Sequence, residues 1–445
     1  MNGAGPRLRA AAMLGVLTAL LPVDLTIAGA AAAIGRLRPG PPIERAAHPR
    51  TVLLTGGKMT KSLTLARAFG RAGHRVVLVE TAKYRWCGHR FSNCVDAFHV
   101  VPDPDDPGYP DAIATVVATE GVDVFVPVCS PLASRYDALA AARLPDHVEV
   151  IHAAHDVIGI LDDKDRFAAS AAELGLRVPE THRITSVADV LGFDFAARPD
   201  RRYLLKSIPY DPVHRADLTT LPLATSELTA DHVRSLPISD ERPWILQEFV
   251  DGDEYCTHGT VRSGATTVWA CCRSSAKQLN YEMVERPDIE AWVNEYVSAL
   301  GVTGQLSFDF IIGPHGEPVA IECNPRTHSA ITMFAGHPSL ADGYLRSTDG
   351  PDSGDLPIVP IAGSRPTYWL HMEGWRMLSA PRTAHHRLRE IVRGRDAILD
   401  PHDPLPFVLV PHLHIASLLV GALRTGSDWV GIDVNIGKLV EPDGD

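Results

Sequence analysis

Asp309, Glu322, Asn324 and Arg326 are spaced so that one β-hairpin would bring them together. The stretch from Gln305 to Ser329 reads QLSFDFIIGPHGEPVAIECNPRTHS. Ser307 to Ile312 alternates polar and apolar residues around a bulky apolar run, which predicts a strand. Gly313-Pro314-His315-Gly316 predicts a turn, and Val319 to Glu322 the returning strand. Asp309 then lies on the outgoing strand and Glu322 on the return. Asn324, two residues on, shares the face of Glu322 if the strand persists. Two carboxylates and an amide oxygen form an all-oxygen pocket. Mg²⁺ suits it, being a hard ion that keeps several waters and completes its shell with phosphate oxygens. Two solvated acids on a hairpin would be the plainer reading. The E-x-N spacing, followed at once by Pro325 and Arg326, favours the metal. An arginine there can hold a phosphate or a carboxylate in fixed geometry.

Other residues supply what the hairpin lacks. Only seven of the 42 basic residues are lysines, so the lysines that occur merit notice. Lys164 falls in the first turn of a helix beginning at LDDKDRF, with Asp162 as the expected N-cap; free backbone N–H groups there favour anions. A surface lysine is the default at such a position. Lys206 ends the apolar strand RYLLKS, which is harder to dismiss. The strand WILQEFV carries Gln247, Glu248, Phe249 and Val250, whose edge offers backbone groups to a purine. Glu254, seven residues past Gln247, can accept from ribose hydroxyls. Two lysines can neutralise phosphates. These are the parts an ATP site needs, since phosphoryl transfer rests on positioning and charge stabilisation.

The frame that must hold them is an α/β chain of several domains. At 445 residues, 45 % hydrophobic and 22 % charged, the composition is that of a globular protein. A net charge of −12 and the absence of any basic run argue against nucleic acid. Seven cysteines without a CxxC pair indicate a reduced, cytoplasmic compartment, with neither a disulfide framework nor a zinc site. Residues 10–35 are almost wholly apolar, with Arg7 and Arg9 before and Arg36 and Arg38 after. The length fits a membrane span, but Pro22 and Asp24 at its centre oppose one. A membrane-associated helix and a helix packed on the body both stay open. Leu405 to Leu423 is a second apolar run, broken by His412 and His414. We expect an apolar segment and linker over 1–50 and a parallel-sheet domain over 51–155, opened by Thr51–Leu54, the GGK turn, a helix and Arg75–Glu80. Further strands are expected at Val122–Val128, at Val148–His152 and in two pieces within Val261–Cys272. Ile289–Leu300 is expected to be a helix, and 346–445 a C-terminal subdomain.

As a set, these residues resemble the ATP-grasp ligases from about Thr51 to His337. The resemblance implies an α+β ATP-grasp fold: a parallel-sheet domain, a lid over 156–246 and a metal-binding half over 247–345, both built on antiparallel sheets. It implies that Lys206 binds phosphate, that Gln247 and the backbone of Phe249 and Val250 meet adenine, and that Glu254 meets ribose. Asp309, Glu322 and Asn324 would hold Mg²⁺, or Mn²⁺. The loop from Ser207 to Leu221 departs from the family in having no glycine, and Lys277 stands where an apolar or aromatic residue is expected. A narrower resemblance covers nearly the whole chain. The segments GGKMTK, GHRFSN, PVCSP, DDK, CTH-TVR, NYEMVE, AIECNPRTHSAITMF, PTYW and IGKLVE are similar to those of the mycosporine-glycine synthetases, which join glycine to 4-deoxygadusol. By that resemblance His89, Arg90, Ser130, Tyr281, Glu282 and His328 are candidate substrate contacts, with Glu282 a candidate base for the incoming amine. Lys206 would offset charge on the transferred phosphoryl group, and Arg326 would hold the phosphorylated intermediate or the glycine carboxylate. Two other readings stay open: a carboxylate–amine ligase working through an acyl phosphate, and a membrane-associated nucleotide-binding protein without ligase activity. A homo-oligomer is compatible with all three.

Overall fold

The computed structural model describes residues 4–38, 43, 45–128, 130, 133–209, 211, 213–214, 217–274, 280–345 and 357–442. Lys277, Tyr210 and Arg215 lie outside the described residues. A five-stranded parallel sheet is built from β1 (Thr51–Leu54), β2 (Arg75–Thr81), β3 (Ala97–Val101), β4 (Val124–Val126) and β5 (Glu149–Val150), in the order β3-β2-β1-β4-β5. The central strand TVLL is apolar on both faces because helices cover both. Val148 to His152 keeps strand form only at Glu149–Val150, where it has a partner in β4. After β1 the chain turns through Gly56, at φ +63°, where a Cβ would meet Val128 O at 2.3 Å. Only glycine fits that turn. It aims the chain into the helix Thr60–Arg71.

Two antiparallel sheets follow. A three-stranded sheet has β6 (Thr181–Ile184), β7 (Tyr203–Ser207) and β8 (Trp244–Glu248), with β8 in the middle. A four-stranded sheet has β9 (Asp253–Arg262), β10 (Ala265–Arg273), β11 (Gly304–Ile312) and β12 (Pro318–Asn324), in the order β10-β9-β11-β12. β9 begins eight residues before the expected Val261, since Asp253 already pairs with Ile312. Its first residues are charged, so the strand is set by its partner and not by hydrophobic pattern. One face of this sheet carries Phe308 and Phe310, which pack on Trp292 and Tyr296 of the helix Pro287–Leu300. The other face carries Asp309 and Glu322 beside the buried Cys256, Ala270 and Cys272, and holds the candidate site.

The helix Lys164–Glu173 starts one residue later than expected: Asp163, not Asp162, is its N-cap, accepting from Asp165 and Arg166 N–H. Lys164 is its first residue.

The apolar N-terminus forms one helix, Ala4–Leu37. By length and composition it could cross a membrane, as could Leu405–Thr425. In the structure the two pack on each other. Ala10 and Leu17 meet Leu418, Leu419 and Ala422. Asp24 is buried and its carboxylate accepts from His371 at 2.9 Å and His412 at 2.8 Å. The mid-helix acid is thus explained by packing. Val16, Leu20, Val23, Leu25 and Ile34 stay exposed on the far side. The second apolar run contains a π-helical turn, Val410–Ile415, which carries both His412 and His414. The C-terminal segment lies against the parallel-sheet domain. Arg67 meets Asp403 at 2.8 Å and Arg71 meets Asp400 at 2.7 Å, all with little exposure.

Candidate active site

The hairpin forms with the acids on one face. Asp309 and Glu322 are direct register partners across β11 and β12, and Asn324 pairs with Ser307. The ladder slips by one residue between Asp309 and Phe310, which ends regular pairing next to the acids. Asn324 Nδ2 donates to Asp309 Oδ2 at 3.2 Å and to Glu322 Oε1 at 3.0 Å. Its Oδ1 accepts from Arg326. The expected oxygen pocket is therefore present with its amide reversed, so Asn324 must turn over to offer its oxygen to an ion. Burial, then the charge of Glu322, pushes the Asp309 carboxyl well above its ordinary value. Burial also works to raise Glu322, but Lys164 and Lys206 prevail and pull it down to about 2. Two half-buried carboxylates in mutual repulsion, with an amide between them, fit a small divalent cation, which would relieve that repulsion.

The lysines arrive from two other elements. Lys164 Nζ stands 3.6 Å from Glu322 Oε2. Lys206, at the end of β7, donates to Gln247 Oε1 at 3.1 Å. Burial lowers its pKa, while Glu322 opposes that shift. Gln247 is itself buried, and its Nε2 reaches Ile321 O at 3.4 Å, so it links the three-stranded sheet to the hairpin. Arg326 lies 3.6 Å from Asp162 Oδ1. Burial raises the Asp162 carboxyl against the pull of Arg326. This pairing of Asp162 with Arg326 had no signal in the sequence.

The strand exit is more occupied than its sequence suggests. Glu248 donates its backbone N–H to Glu180 O at 2.8 Å, and its carboxylate accepts from Glu180 N–H at 3.2 Å. Phe249 N–H donates to Arg202 O at 2.7 Å. Phe249 can therefore offer a ligand its carbonyl or its ring, but not its N–H without giving up that bond. Val250 follows on the same connection and is half-buried. Glu254 is exposed and accepts from the Ser274 hydroxyl at 2.9 Å.

Of the candidate substrate contacts, Tyr281 and His328 are brought together, ring edge to face at 5.4 Å. His328 caps the turn Ser329–Phe334 by accepting from Ala330 N–H at 3.2 Å. Glu282 is exposed beside Tyr281. His89, Arg90 and Ser130 belong to the parallel-sheet domain. His89 is sealed at 0 % exposure, bonded to Gly57 O at 2.9 Å, and burial lowers its pKa to about 4. The Arg90 guanidinium lies 4.2 Å from the Phe98 ring centroid and donates to Arg85 O at 2.7 Å. Ser130 O accepts from Ala133 N–H at 3.1 Å. A residue not singled out from the sequence is Lys61, buried, whose Nζ donates to Thr327 O at 2.6 Å. It ties the helix Thr60–Arg71 to the segment just past the hairpin.

No family model matches the chain, and no curated protein matches its sequence. Solved structures do match in fold. An N5-carboxyaminoimidazole synthetase from Staphylococcus aureus, complexed with ADP, is similar over 71 % of this chain and 80 % of its own, at 12 % identity and TM-score 0.51. A biotin carboxylase from Campylobacter jejuni, in a β,γ-ATP complex, is similar over 66 % of this chain and 71 % of its own, at 14 % identity and TM-score 0.50. The pyruvate carboxylase of Rhizobium etli covers 72 % of this chain with 32 % of its own length, at 14 % identity and TM-score 0.52. At such identities the likeness is one of fold: this chain has the mixed α/β architecture of those proteins, a parallel sheet followed by antiparallel ones.

Proposed function

We propose that the protein is an ATP- and Mg²⁺-dependent C–N ligase that condenses 4-deoxygadusol with glycine. The observation that carries this reading is the Asp309–Glu322–Asn324 face with Lys164 and Lys206 converging on it. Three acidic or amide groups for a metal and two cations for phosphates come together around one hairpin, as nucleoside triphosphate binding requires. Arg326, beside both Asn324 and Asp162, is the group for a second anion.

In this reading Gln247, Glu248, Phe249, Val250 and Glu254 hold the adenosine, and Lys164 and Lys206 the phosphates. Mg²⁺, when bound, would supply charge neutralisation between phosphate oxygens. The enol oxygen of 4-deoxygadusol attacks the γ-phosphorus and ADP leaves. The glycine amine then adds at the ring carbon, loses a proton, and inorganic phosphate departs to leave an enaminone. Arg326 holds the phosphorylated ring or the glycine carboxylate. Tyr281, Glu282 and His328 line the acceptor side, and Glu282 takes the amine proton. The body works in the cytoplasm, where ATP and reduced thiols occur. The exposed side of the N-terminal helix is the surface for membrane contact.

The test is a reaction of the purified protein with ATP, Mg²⁺, glycine and 4-deoxygadusol, monitored in the near ultraviolet. A new absorbing product formed with stoichiometric ADP is expected. Turnover with simple carboxylic acids and amines alone would instead establish acyl-phosphate chemistry, the second reading, which the fold likeness to an N5-carboxyaminoimidazole synthetase favours.

A further inference from the structure

Cys256, Cys272 and His328 converge next to the acids. Cys256 is the register partner of Asp309 on one side and of Cys272 on the other. Directly opposed residues in antiparallel strands share a face. Asp309, Cys256 and Cys272 therefore stand in a row across β11, β9 and β10. The two sulfurs are 3.4 Å apart, and the thiols are only 2 % and 1 % exposed. His328, from the loop that follows β12, closes the third side. One of its ring nitrogens and both sulfurs lie within 4.8 Å of one another.

The donor set decides the kind of ligand. Two sulfurs and an imidazole are a poor shell for Mg²⁺ and a good one for a borderline-soft ion such as Zn²⁺. Zn–S bonds of about 2.3 Å at tetrahedral angles place two sulfurs about 3.8 Å apart, close to the spacing here. A disulfide would need them at about 2.05 Å. We propose that Cys256, Cys272 and His328 form a zinc site, separate from the Mg²⁺ site on the same sheet face, with water at the fourth position.

The ion would staple β9 and β10 to the loop that carries Arg326, and so fix the wall beside Asp309. Binding also asks for one local change. Whichever ring nitrogen takes the ion, Nδ1 of His328 ceases to accept from Ala330 N–H, so the turn Ser329–Phe334 must adjust.

The test uses the untagged full chain, produced with zinc in the medium and purified without chelator or nucleotide. Elemental analysis should find about one zinc per chain. Replacing zinc by Co²⁺ should give a thiolate-to-cobalt charge-transfer band. Cys256→Ser and Cys272→Ser, checked for folding by circular dichroism, should each lose most of the metal. A zinc-free chain with no cobalt band, undiminished zinc in both variants, or a Cys256–Cys272 cross-link found by mass would each overturn the proposal. The cobalt spectrum of the unaltered chain does not depend on either variant folding. No arm contains ATP, so failure here leaves the ligase reading untouched.

Discussion

The side chains of Asn324 and Arg326, two residues apart, are bonded to each other, with Arg326 donating to Asn324 Oδ1. That bond turns the amide so that its NH₂ group faces Asp309 and Glu322. Cation binding must reverse the amide, which frees an arginine donor at the same moment. Metal uptake and anion capture by Arg326 are thereby coupled. Arg326→Lys keeps the charge but loses the planar fork. Partners of metal ligands typically alter affinity or activity by about 10- to 100-fold when changed. A loss in that range is expected for Arg326→Lys in kcat/KM, together with a changed Mg²⁺ dependence. An unaltered Mg²⁺ titration would remove the coupling.

Asp309→Asn removes a charge from the acid pair without changing its shape. Repulsion on Glu322 falls, so the folded protein should be no less stable. Turnover should drop by about 100-fold or more, since a direct ligand should matter at least as much as its partners. The measurement is steady-state ADP release at saturating Mg²⁺. Unchanged turnover would remove Asp309 from the metal site.

Lys206 Nζ and Gln247 Oε1 are bonded across neighbouring strands. Lys206→Ala should raise the KM for ATP or abolish turnover while far-ultraviolet circular dichroism stays unchanged. A lost hydrogen bond to a charged group is worth about 1.5–3 kcal/mol, or roughly 10- to 150-fold. Normal ATP kinetics in this variant would remove Lys206 from the phosphate site.

Asp24 anchors the N-terminal helix. Burial favours its neutral form, yet the bonds from His371 and His412 hold its pKa below the ordinary 3.8. A folded value below the unfolded one means that ionised Asp24 stabilises the fold above about pH 3.8, and that this contribution is lost as pH falls further. Asp24→Ala should therefore lower the unfolding free energy at neutral pH by about 1–3 kcal/mol. The gap between variant and parent should close in strong acid. Denaturant titrations across pH measure both. Equal stability of the two proteins at pH 7 would show that the clamp does not hold the helix.

Deleting residues 1–45 should expose Leu418, Leu419 and Ala422. Aggregation or a lowered melting temperature is expected. A soluble, active, equally stable truncation would show that the helix serves only as a tether.

Much of the chemistry was legible because it resides in short local patterns. The β1 run, the helix capped past Leu300 by Gly301 at φ +59°, and the hairpin that faces Asp309 to Glu322 all follow from periodicity and turn residues. Strand parity alone places Asn324 on the same face as Glu322. What depended on distant partners was not legible. β9 starts at Asp253 because β11 lies beside it, not because its first residues favour a strand. By composition the N-terminal helix could have lain on a membrane or on the body, and only the tertiary structure shows its Asp24 bonded to His371 and His412, 347 and 388 residues away. Cys256, Cys272 and His328 show no metal-ligand spacing, because β-pairing and a loop return, rather than a short motif, bring them together. Local sequence sets which way a side chain points from its own strand or helix; what it then meets is fixed by how the sheets and helices pack.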